Sequence, residues 1–364
     1  MSELAPVEVD AVVLVGGKGT RLRPLTLSAA KPMLPTAGVP YLEHLLSRIR
    51  EAGMRHVVLG TSYRAQTFEE YFGDGTDFGL EIEYVVEDEP LGTGGGIRNV
   101  YDRLRYDTAM VFNGDVLSGV DLRAVLSTHR EAGADVTLHL VRVADPRAFG
   151  CVPTDPTGRV LGFLEKTDDP PTDQINAGCY VFGRNVIAGI PAGVPVSVER
   201  ETFPSLLADG ATVVGHVDTS YWLDLGTPAA FVQGSADLVS GVAPTAALPK
   251  AQAHDIDRLI LATAQVDPTA VINGGSTIGA GALVAAGARI RGAVVMDEAR
   301  IGPDAQIASS VIGRGARIGA GVVLVNAVIG DGAVIGAGCE LRGGARVWPG
   351  VDLPAGAIRF SADG

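Results

Sequence analysis

The sequence is short of positive charge. Its 364 residues include 29 Lys and Arg against 42 Asp and Glu, a formal net charge of -13, and only four of the cations are lysines: Lys18, Lys31, Lys166 and Lys250. A chain this acidic does not attract nucleic acid or an anionic membrane surface through its overall field. We therefore expect no nucleic-acid and no membrane partner, and an anionic ligand would need a local cluster of cations, a metal ion, or both.

Cysteine is scarce, and long apolar runs are absent. The three cysteines, Cys151, Cys179 and Cys339, have neither metal-ligand spacing nor a disulfide framework, which favours buried thiols in a reducing compartment. The first ten residues lack the charged and apolar regions of a signal peptide, and no apolar run is long enough to span a bilayer. We expect a cytoplasmic protein.

Two hydrophobic patterns divide the chain. Up to about residue 232, short apolar runs alternate with helix-like segments, which is typical of an α/β domain with a mainly parallel sheet. A stretch rich in Ala, Pro and polar residues follows, and then a short aliphatic repeat begins. We predict a Rossmann-like first domain over residues 1–235, a linker over 236–264 and a repeat domain over 265–364.

The repeat has an aliphatic residue at every sixth position, with occasional steps of five. This spacing is too short for helical repeats and too strict for ordinary hairpins, but it fits a solenoid of triangular coils with one short strand on each side. We therefore predict a parallel β-helix. Its aliphatic positions are Val266, Ile272, Ile278, Val284, Ile290, Val295, Ile301, Ile307, Ile312, Ile318, Leu324, Ile329, Ile335, Leu341, Val347 and Leu353.

The repeat resembles the hexapeptide-repeat family, whose members form left-handed parallel β-helices. Many members are acyltransferases that rely on a histidine near the coils, which makes acyl transfer an alternative. All six histidines of this chain, the last of them His254, precede the repeat. We therefore interpret the β-helix as structural, serving oligomerisation or regulation. We expect a homo-oligomer because the edges of such a solenoid need to be capped.

A glycine-rich segment with four cations stands near the start of the sequence. The apolar run of residues 9–15 predicts a buried strand, and the glycines in Gly-Gly-Lys-Gly-Thr-Arg-Leu-Arg-Pro-Leu-Thr, residues 16–26, let the backbone turn sharply and approach a ligand. No acidic residue lies between Gly16 and Lys31. The segment therefore predicts a cradle for a polyanion such as a triphosphate. Its cations are Lys18, Arg21, Arg23 and Lys31.

This segment matches neither of two better-known phosphate loops, because residue 22 is leucine where a dinucleotide fingerprint needs glycine, and P-loop spacing is absent. It resembles the opening signature of the nucleotide-sugar pyrophosphorylases, or sugar-1-phosphate nucleotidyltransferases, with Ala30 where that family usually has proline. The resemblance implies that Arg21 contacts the leaving pyrophosphate, and that Arg23 and Lys31 add charge there. The implied nucleotide-binding residues are Gly16, Gly17, Lys18, Gly19, Thr20, Arg21 and Arg23.

A second glycine-rich stretch, Leu-Gly-Thr-Gly-Gly-Gly-Ile at residues 91–97, is a weak signal alone. In the same family the corresponding loop lies against the nucleobase, and this wording is most similar to guanylyltransferases that act on mannose- or heptose-type phosphates. Without side chains such a loop lets a flat base contact the backbone, and Glu89 is a candidate acceptor for the N–H groups of guanine. Further nucleotide-binding candidates are Gly92, Thr93, Gly94, Asn113 and Gly114.

Two aspartates predict a metal site. Asp115 follows an apolar strand in Phe-Asn-Gly-Asp, and Asp224 lies in Tyr-Trp-Leu-Asp-Leu-Gly-Thr-Pro. Ligands of open α/β sheets bind at the carboxyl ends of strands, and two carboxylates completed by substrate phosphates suit Mg²⁺. A strand-end Asp is also a common turn residue, and it is the family resemblance that implies both as ligands of Mg²⁺.

Two further motifs resemble the family's sugar-phosphate site. Glu165 and Lys166 keep the charged pair of a Glu-Lys-Pro motif, with threonine in place of proline, and the resemblance implies that they bind the sugar hydroxyls and the 1-phosphate, respectively. Asn-Ala-Gly at residues 176–178 matches the next motif. Glu199 and Glu201 stand in another family-like segment, and their roles stay open. The implied sugar-phosphate residues are Asp115, Gly150, Glu165, Lys166, Asn176 and Gly178.

The resemblance implies nucleotidyl transfer, in which the 1-phosphate oxygen of a sugar phosphate attacks the α-phosphorus of a nucleoside triphosphate and pyrophosphate leaves. Arg21, Lys31 and Lys166 are the expected catalytic cations, with Mg²⁺ as cofactor. The expected substrates are GTP and mannose 1-phosphate, giving GDP-mannose. The alternatives are thymidylyl, uridylyl or adenylyl transfer to glucose 1-phosphate, or a non-catalytic homologue that binds the sugar nucleotide and signals through its β-helix.

Overall fold

The computed structural model describes residues 5–62 and 64–358. The chain forms two compact units. The first unit comprises Met1–Gly17 and Leu45–Trp222, and the second comprises Lys18–His44 and Leu223–Gly364. The segment that follows the first predicted strand therefore changes unit after Gly17, and residues 18–44 belong with the C-terminal half of the chain.

Strands and helices alternate through the first two thirds of the chain. The strands are β1 (Asp10–Leu14), β2 (Pro35–Thr36), β3 (Val39–Pro40), β4 (His56–Thr61), β5 (Glu81–Val86), β6 (Thr108–Asn113), β7 (Val116–Ser118), β8 (Val136–Arg142), β9 (Gly150–Cys151), β10 (Leu164–Glu165), β11 (Gln174–Gly183), β12 (Val213–Asp218) and β13 (Trp222–Asp224). The helices are α1 (Tyr41–Glu51), α2 (Gln66–Phe72), α3 (Gly92–Asn99), α4 (Leu122–Ala132), α5 (Arg184–Gly189), α6 (Phe203–Ala208) and α7 (Pro228–Ser240).

The first unit is built on one mixed sheet. Its strand order is β10-β9-β11-β6-β1-β4-β5, with β8 paired to β11 and β12 paired to β8. Strands β1, β4, β5 and β6 run parallel, as do β8 and β12. Strand β11 pairs antiparallel with β6, β8 and β9. The predicted α/β fold with a parallel sheet is confirmed, and β11 and the β9–β10 pair add antiparallel pairs.

The central strands are apolar because both of their faces are buried, as is usual for parallel sheets. In β1 the valines at 12 and 13 have no exposed surface. Asp10 is the exception in this strand, and it is buried with three hydrogen bonds: from Nδ1 of His56 at 2.6 Å and from the backbone N–H groups of Arg105 and Tyr106 at 2.9 Å each. A buried carboxyl with this many donors is satisfied and belongs to the scaffold.

The second unit contains a three-sided parallel β-helix. One side is β14 (Ala251–Asp255), β15 (Arg258–Leu261), β18 (Ser276–Ile278), β21 (Val294–Val295), β24 (Val311–Ile312), β27 (Val328–Ile329) and β30 (Arg346–Val347). The next side is β16 (Gln265–Val266), β19 (Leu283–Val284), β22 (Arg300–Ile301), β25 (Arg317–Ile318), β28 (Val334–Ile335) and β31 (Asp352–Leu353). The third side is β17 (Val271–Asn273), β20 (Arg289–Arg291), β23 (Gln306–Ala308), β26 (Val323–Val325) and β29 (Glu340–Leu341).

The aliphatic repeat forms the core of this β-helix. Every predicted position from Ile272 to Val347 is buried in one cluster, and Val266 and Leu353 pack against it. Ile272 pairs with Ile290, and Ile290 with Ile307, so successive coils take 18 and 17 residues. The occasional step of five in the repeat is therefore a coil with one residue fewer. The predicted parallel β-helix is confirmed.

The segment predicted as a linker, residues 236–264, contains regular structure. It includes the end of α7, and strands β14 and β15 form an antiparallel pair there. Strand β15 then pairs in parallel with β18 of the β-helix. Residues 359–364 of the predicted repeat domain lie outside the described part of the chain.

The cysteines are free thiols, and all three are buried. Burial raises the pKa of the Cys179 thiol to about 12, so this group stays protonated at neutral pH. Each thiol therefore behaves as a small core residue, as predicted. Within the described part of the chain, no helix is long and apolar enough to cross a membrane.

Candidate active site

The glycines of the signature segment, residues 16–34, give it its backbone shape. Gly17 has φ 108° and Gly19 has φ 56°, both in the region that disfavours side chains. A Cβ added at Gly19 would lie 2.9 Å from Cγ2 of Thr26 and 3.1 Å from Cβ of Lys31. The hydroxyl of Thr26 donates to the carbonyl of Gly19 at 2.8 Å. Gly19 is thus required for the predicted cation Lys31 to approach this turn.

The same segment buries its leucines and exposes its cations. Leu22 and Leu25 are each only 1% exposed, and they pack with Phe231 of α7 and with valines of the β-helix. Lys18, Thr20, Arg21 and Arg23 are exposed, and Lys31 is half-buried.

Arg21 and Asp224, predicted separately as a pyrophosphate ligand and a metal ligand, meet within the second unit. Nη2 of Arg21 lies 3.9 Å from Oδ2 of Asp224, while the Arg21 side chain remains 65% exposed. A Cβ added at Gly226 would lie 2.5 Å from Nη2 of Arg21. Gly226 therefore leaves the space that the guanidinium occupies, and the guanidinium is oriented yet available to an anion.

In the first unit, Asn113, Gly114 and Asp115 follow one another at the end of β6. The N–H of Gly114 donates to the carbonyl of Leu14 at 2.9 Å, and a Cβ at Gly114 would lie 2.7 Å from that oxygen. Only glycine fits this approach of two strand ends. Asp115 follows as a half-buried side chain.

A β-bulge in β11 carries the Asn-Ala-Gly motif next to Asn113. The pairing of β11 with β8 shifts register between Asn176 and Tyr180, and Gly178 has φ 76°. The amide of Asn176 donates to the Tyr180 hydroxyl at 2.7 Å and accepts from the N–H of Gly178 at 3.0 Å. A Cβ at Gly178 would lie 2.9 Å from Nδ2 of Asn113. The structure therefore uses the Asn176 side chain to shape the bulge.

The predicted residues Gly150, Glu165 and Lys166 also lie together. Glu165 pairs with Gly150 across β9 and β10, and a Cβ at Gly150 would lie 2.9 Å from Oε2 of Glu165. Lys166 adopts φ 49°, an uncommon value for a residue with a side chain. Its Nζ lies 3.7 Å from Oε1 of Glu165, and its side chain is 63% exposed. The pair leaves the ammonium of Lys166 open to solvent beside the Glu165 carboxylate.

The second glycine-rich stretch is not the open loop that the sequence predicted. Gly92 and the glycines after it begin helix α3. Gly94 is buried, and a Cβ there would lie 2.8 Å from Cγ1 of Val196, while a Cβ at Gly95 would lie 2.6 Å from the carbonyl of Val194. These glycines therefore serve close packing. The expected backbone surface for a base is limited to Gly92 and Thr93, which keep exposed area.

Thr93 links this helix to the segment whose role the sequence left open. Its hydroxyl donates to Oε2 of Glu199 at 2.8 Å and accepts from the N–H of Val198 at 3.0 Å. Glu199 also accepts from the hydroxyl of Ser197 at 2.7 Å, and Glu201 accepts from the N–H of Ser197 at 2.9 Å. Glu199 therefore orients Thr93, and Glu201 closes the turn.

A second carboxylate beside α3 is Glu87, which the sequence motifs do not single out. Glu89 is exposed, whereas Glu87 accepts from the N–H of Leu91 at 3.3 Å, and a Cβ at Gly96 would lie 2.7 Å from its Oε1. Burial raises the pKa of Glu87 above its ordinary value. The local sequence does not distinguish Glu87 from its acidic neighbours. Its contact with the buried Gly96 distinguishes it, and that contact is visible only in the structure.

The donor chemistry fits Mg²⁺. Asp115 and Asp224 are half-buried and offer hard carboxylate oxygens, and Mg²⁺ is commonly held by one or two carboxylates with phosphates and water completing its octahedron. Across residues 5–62 and 64–358, no group of three or more His, Cys, Asp or Glu side chains is arranged to hold a metal.

Comparisons with known proteins agree with the motifs. A family model described as nucleotidyl transferase matches residues 10–241, and one described as the GMPPB C-terminal domain matches residues 256–350. The chain is 65% identical to a mannose-1-phosphate guanylyltransferase from Mycobacterium tuberculosis, covering 99% of this chain and 100% of the relative. It is 34% identical to the mannose-1-phosphate guanylyltransferase catalytic subunit beta of Drosophila melanogaster, covering 73% of this chain and 71% of the relative.

Solved structures resemble the N-terminal part of the chain. The crystal structure of HddC from Yersinia pseudotuberculosis aligns with a TM-score of 0.57 and 26% identity, covering 63% of this chain and 99% of that one. The same protein complexed with GMP-PN aligns with a TM-score of 0.56, also at 26% identity and with the same coverage. With its complete glycine-rich signature, its strand-end aspartates and a family match over more than half of its length, this chain belongs to the nucleotidyl transferase family.

Proposed function

We propose that this chain transfers the GMP group of GTP to mannose 1-phosphate, forming GDP-mannose and releasing pyrophosphate. The observation that carries this proposal is the 65% identity over the whole chain to a mannose-1-phosphate guanylyltransferase. The complex of a structural relative with GMP-PN supports a guanine nucleotide as the ligand.

The chemistry asks the protein to bring two polyanions together. A 1-phosphate oxygen forms a bond to the α-phosphorus of GTP, the bond to the bridging oxygen of the β-phosphate breaks, and its electron pair leaves with pyrophosphate. The nucleophile is already an anion, so no general base is needed. Arg21 and Lys31 stabilise the charge that grows on the pyrophosphate, and Lys166 neutralises the incoming phosphate.

Two sets of residues would hold the organic parts of the substrates. Thr93, oriented by Glu199, and the exposed start of α3 offer a surface to guanine. Glu165 accepts hydrogen bonds from sugar hydroxyls, and the bulge shaped by Asn176 presents the backbone at Gly178 to the sugar. The support for these roles is the grouping of the predicted residues within the first unit.

A substrate panel tests the reaction. The purified protein is incubated with Mg²⁺, mannose 1-phosphate and each of GTP, dTTP, UTP and ATP, and pyrophosphate release is measured. We expect release with GTP. Release with another nucleotide alone would replace the guanylyl assignment, and no release with any nucleotide and sugar phosphate would favour a regulatory homologue without catalytic activity.

We also propose that the reaction requires Mg²⁺ held by Asp115 and Asp224. When bound, the ion supplies charge neutralisation at the phosphates. Asp115→Ala and Asp224→Ala are each expected to abolish turnover with the melting temperature unchanged, and Asp352→Ala, which removes an exposed carboxylate of the β-helix, serves as control. Full activity in EDTA, or near-normal activity of either variant, would contradict the metal assignment.

We further propose a homo-oligomer in a reducing compartment such as the cytoplasm. Trp348 is 48% exposed and Val351 is 37% exposed in the last described coil of the β-helix, and apolar surface of this kind favours association. The three free thiols support a reducing environment. Analytical ultracentrifugation tests the assembly, and a monomer at micromolar concentration would contradict it.

A further inference from the structure

The cationic part of the signature segment rests on the outer face of one side of the β-helix. Val294, Val311 and Val328 stack there in register, one from each successive coil. Their neighbours Val295, Ile312 and Ile329 point into the β-helix core. The three outer valines instead form a cluster with the leucines of the segment, Leu22, Leu25 and Leu34. The segment is thus seated on the repeat domain within the second unit.

The fourth position of this column is an arginine. Arg346 pairs with Val328 in the next coil, and it donates from Nη1 to the carbonyl of Arg21 at 2.9 Å and to the carbonyl of Arg23 at 2.7 Å. These two carbonyls flank the buried Leu22. Arg346 therefore holds the backbone on both sides of the leucine that anchors the segment.

The backbone that Arg346 holds also carries the exposed cation. The Arg21 side chain projects from this backbone to Asp224 and the Gly226 backbone, with most of its surface open to solvent. A small rotation of the peptides at 21–23 would move the guanidinium by more than the backbone itself. Fixed donors are effective in catalysis because they need no reorganisation when charge develops.

We propose that Arg346 is a positioning residue for nucleotidyl transfer, acting through the backbone of Arg21 and Arg23. The inference rests on the proposed function, because it takes the triphosphate as the ligand of Arg21. It gives the β-helix a part in substrate binding beyond oligomerisation or regulation.

The two carbonyls lie at the surface, so water can replace the guanidinium when Arg346 is removed. Loss of Arg346 should therefore leave the fold and the packing of the leucines against the outer valines in place. It should make the backbone at Arg21 and Arg23 more mobile. A purely structural role predicts the opposite, namely a loss of stability that affects both substrates alike.

The experiment compares Arg346→Met, which keeps an apolar stem but removes the donors, with Arg346→Lys and with the control Arg342→Met. Arg342 lies in the same coil and ion-pairs with Glu340, so its loss removes the same charge without the two carbonyl contacts. The readouts are kcat, the KM of each substrate and the melting temperature. Pyrophosphorolysis of GDP-mannose adds the KM for pyrophosphate.

For Arg346→Met we expect kcat/KM for GTP to fall by about tenfold, the size of a lost charged hydrogen bond. The KM for pyrophosphate should rise similarly, while the KM for mannose 1-phosphate and the melting temperature stay near wild type. Arg346→Lys should recover part of the loss, and Arg342→Met should behave as wild type.

Unchanged kinetics in Arg346→Met would overturn the inference, as would equal losses for both substrates or an equal loss in Arg342→Met. A wild-type protein that uses a nucleotide other than GTP would overturn the substrate assignment only, and the comparison then runs with that nucleotide. If the wild-type protein shows no turnover, calorimetric titration with GTP measures the same difference, and a wild type that binds no nucleotide would overturn both proposals.

Discussion

The two glycine-rich segments of this chain use glycine for different purposes. In the first segment Gly17 and Gly19 take backbone angles that side chains disfavour, and the neighbouring cations Lys18 and Arg21 face solvent. At residues 94–96 the glycines are helical and buried, and added Cβ atoms would meet Val194, Val196 and Glu87. A run of glycines therefore does not by itself identify a phosphate loop. Whether a glycine run binds phosphate depends on the charge and solvent exposure of the neighbouring residues.

The largest expected effect comes from replacing one arginine in each glycine-rich segment and comparing the losses of activity. Arg21→Ala should lower kcat/KM for GTP by about 100- to 1000-fold, as expected when a donor to a developing charge is lost. Arg98, in the last turn of α3, is half-buried and lies over the Tyr101 ring at 4.6 Å. Arg98→Ala removes this packing contact, worth about 0.5–1 kcal/mol of stability, and should keep activity within about threefold. Steady-state kinetics with GTP measures both. Equal losses would remove the functional distinction between the two segments.

The next test separates backbone conformation from packing. In Gly95→Ala the new Cβ would lie 2.6 Å from the Val194 carbonyl, which should cost about 1–3 kcal/mol of unfolding free energy through overpacking. In Gly17→Ala no atom lies within 4 Å of the new Cβ, and only the φ of 108° is disfavoured, at about 1 kcal/mol. Gly17→Ala should instead lower kcat/KM for GTP by about tenfold through misplaced cations.

Urea denaturation and GTP kinetics together check this pair. The comparison is contradicted if Gly17→Ala destabilises the protein as much as Gly95→Ala does, or if Gly95→Ala affects GTP kinetics more than stability.

A smaller effect is expected from replacing Glu199, which accepts a hydrogen bond from Thr93 of the second segment. The hydroxyls of Thr93 and Ser197 both donate to Oε2 of Glu199. Glu199→Gln replaces this charged acceptor with a weaker neutral one, so kcat/KM for GTP should fall about threefold to tenfold. Glu201→Gln can still accept from the backbone N–H of Ser197 and is the matched control. If both variants match wild type, Thr93 needs no orientation by Glu199.

The smallest effect concerns Glu87, a carboxylate beside the second glycine-rich segment. The first segment has no acidic residue between Gly16 and Lys31. Burial raises the pKa of Glu87 above the ordinary value for glutamate, about 4.5, so the folded state binds this proton more tightly than the unfolded state does. Stability is then lost as pH rises from about 4.5 through the folded pKa. Glu87→Gln should therefore raise the melting temperature at pH 7 by about 1–2 °C and leave it unchanged at pH 4. A lower melting temperature at pH 7 would contradict this sign.

Local signals predicted the β-helix, and they predicted the glycine turn and the exposed cations of the signature segment. The aliphatic period of Ile272 to Val347 identifies the core because each coil contacts only its neighbours, so short-range spacing carries the three-dimensional information. The turn at Gly19 and the cations after it are likewise encoded within a few residues.

The sequence did not predict which residues pack together over long distances along the chain. The glycines after Gly92 form a helix because Val194 and Val196 cover them from about 100 residues away in sequence. Glu199 binds Thr93 at a similar separation. The grouping of Lys18–His44 with the β-helix, and the contacts of Arg346, join residues more than 300 positions apart. Hydrophobic patterning predicts which residues are buried, but it does not predict which other residues they contact.

The outer column of valines sets a rule for insertions and deletions in the repeat. Val294, Val311, Val328 and Arg346 come one from each coil, so a one-residue insertion in a strand between Val294 and Arg346 would turn its core side chains outward. An added whole coil would preserve the core but move Arg346 by one strand spacing, about 4.8 Å, from the Arg21 carbonyl. The number of coils between Val294 and Arg346 is therefore fixed by the segment they carry.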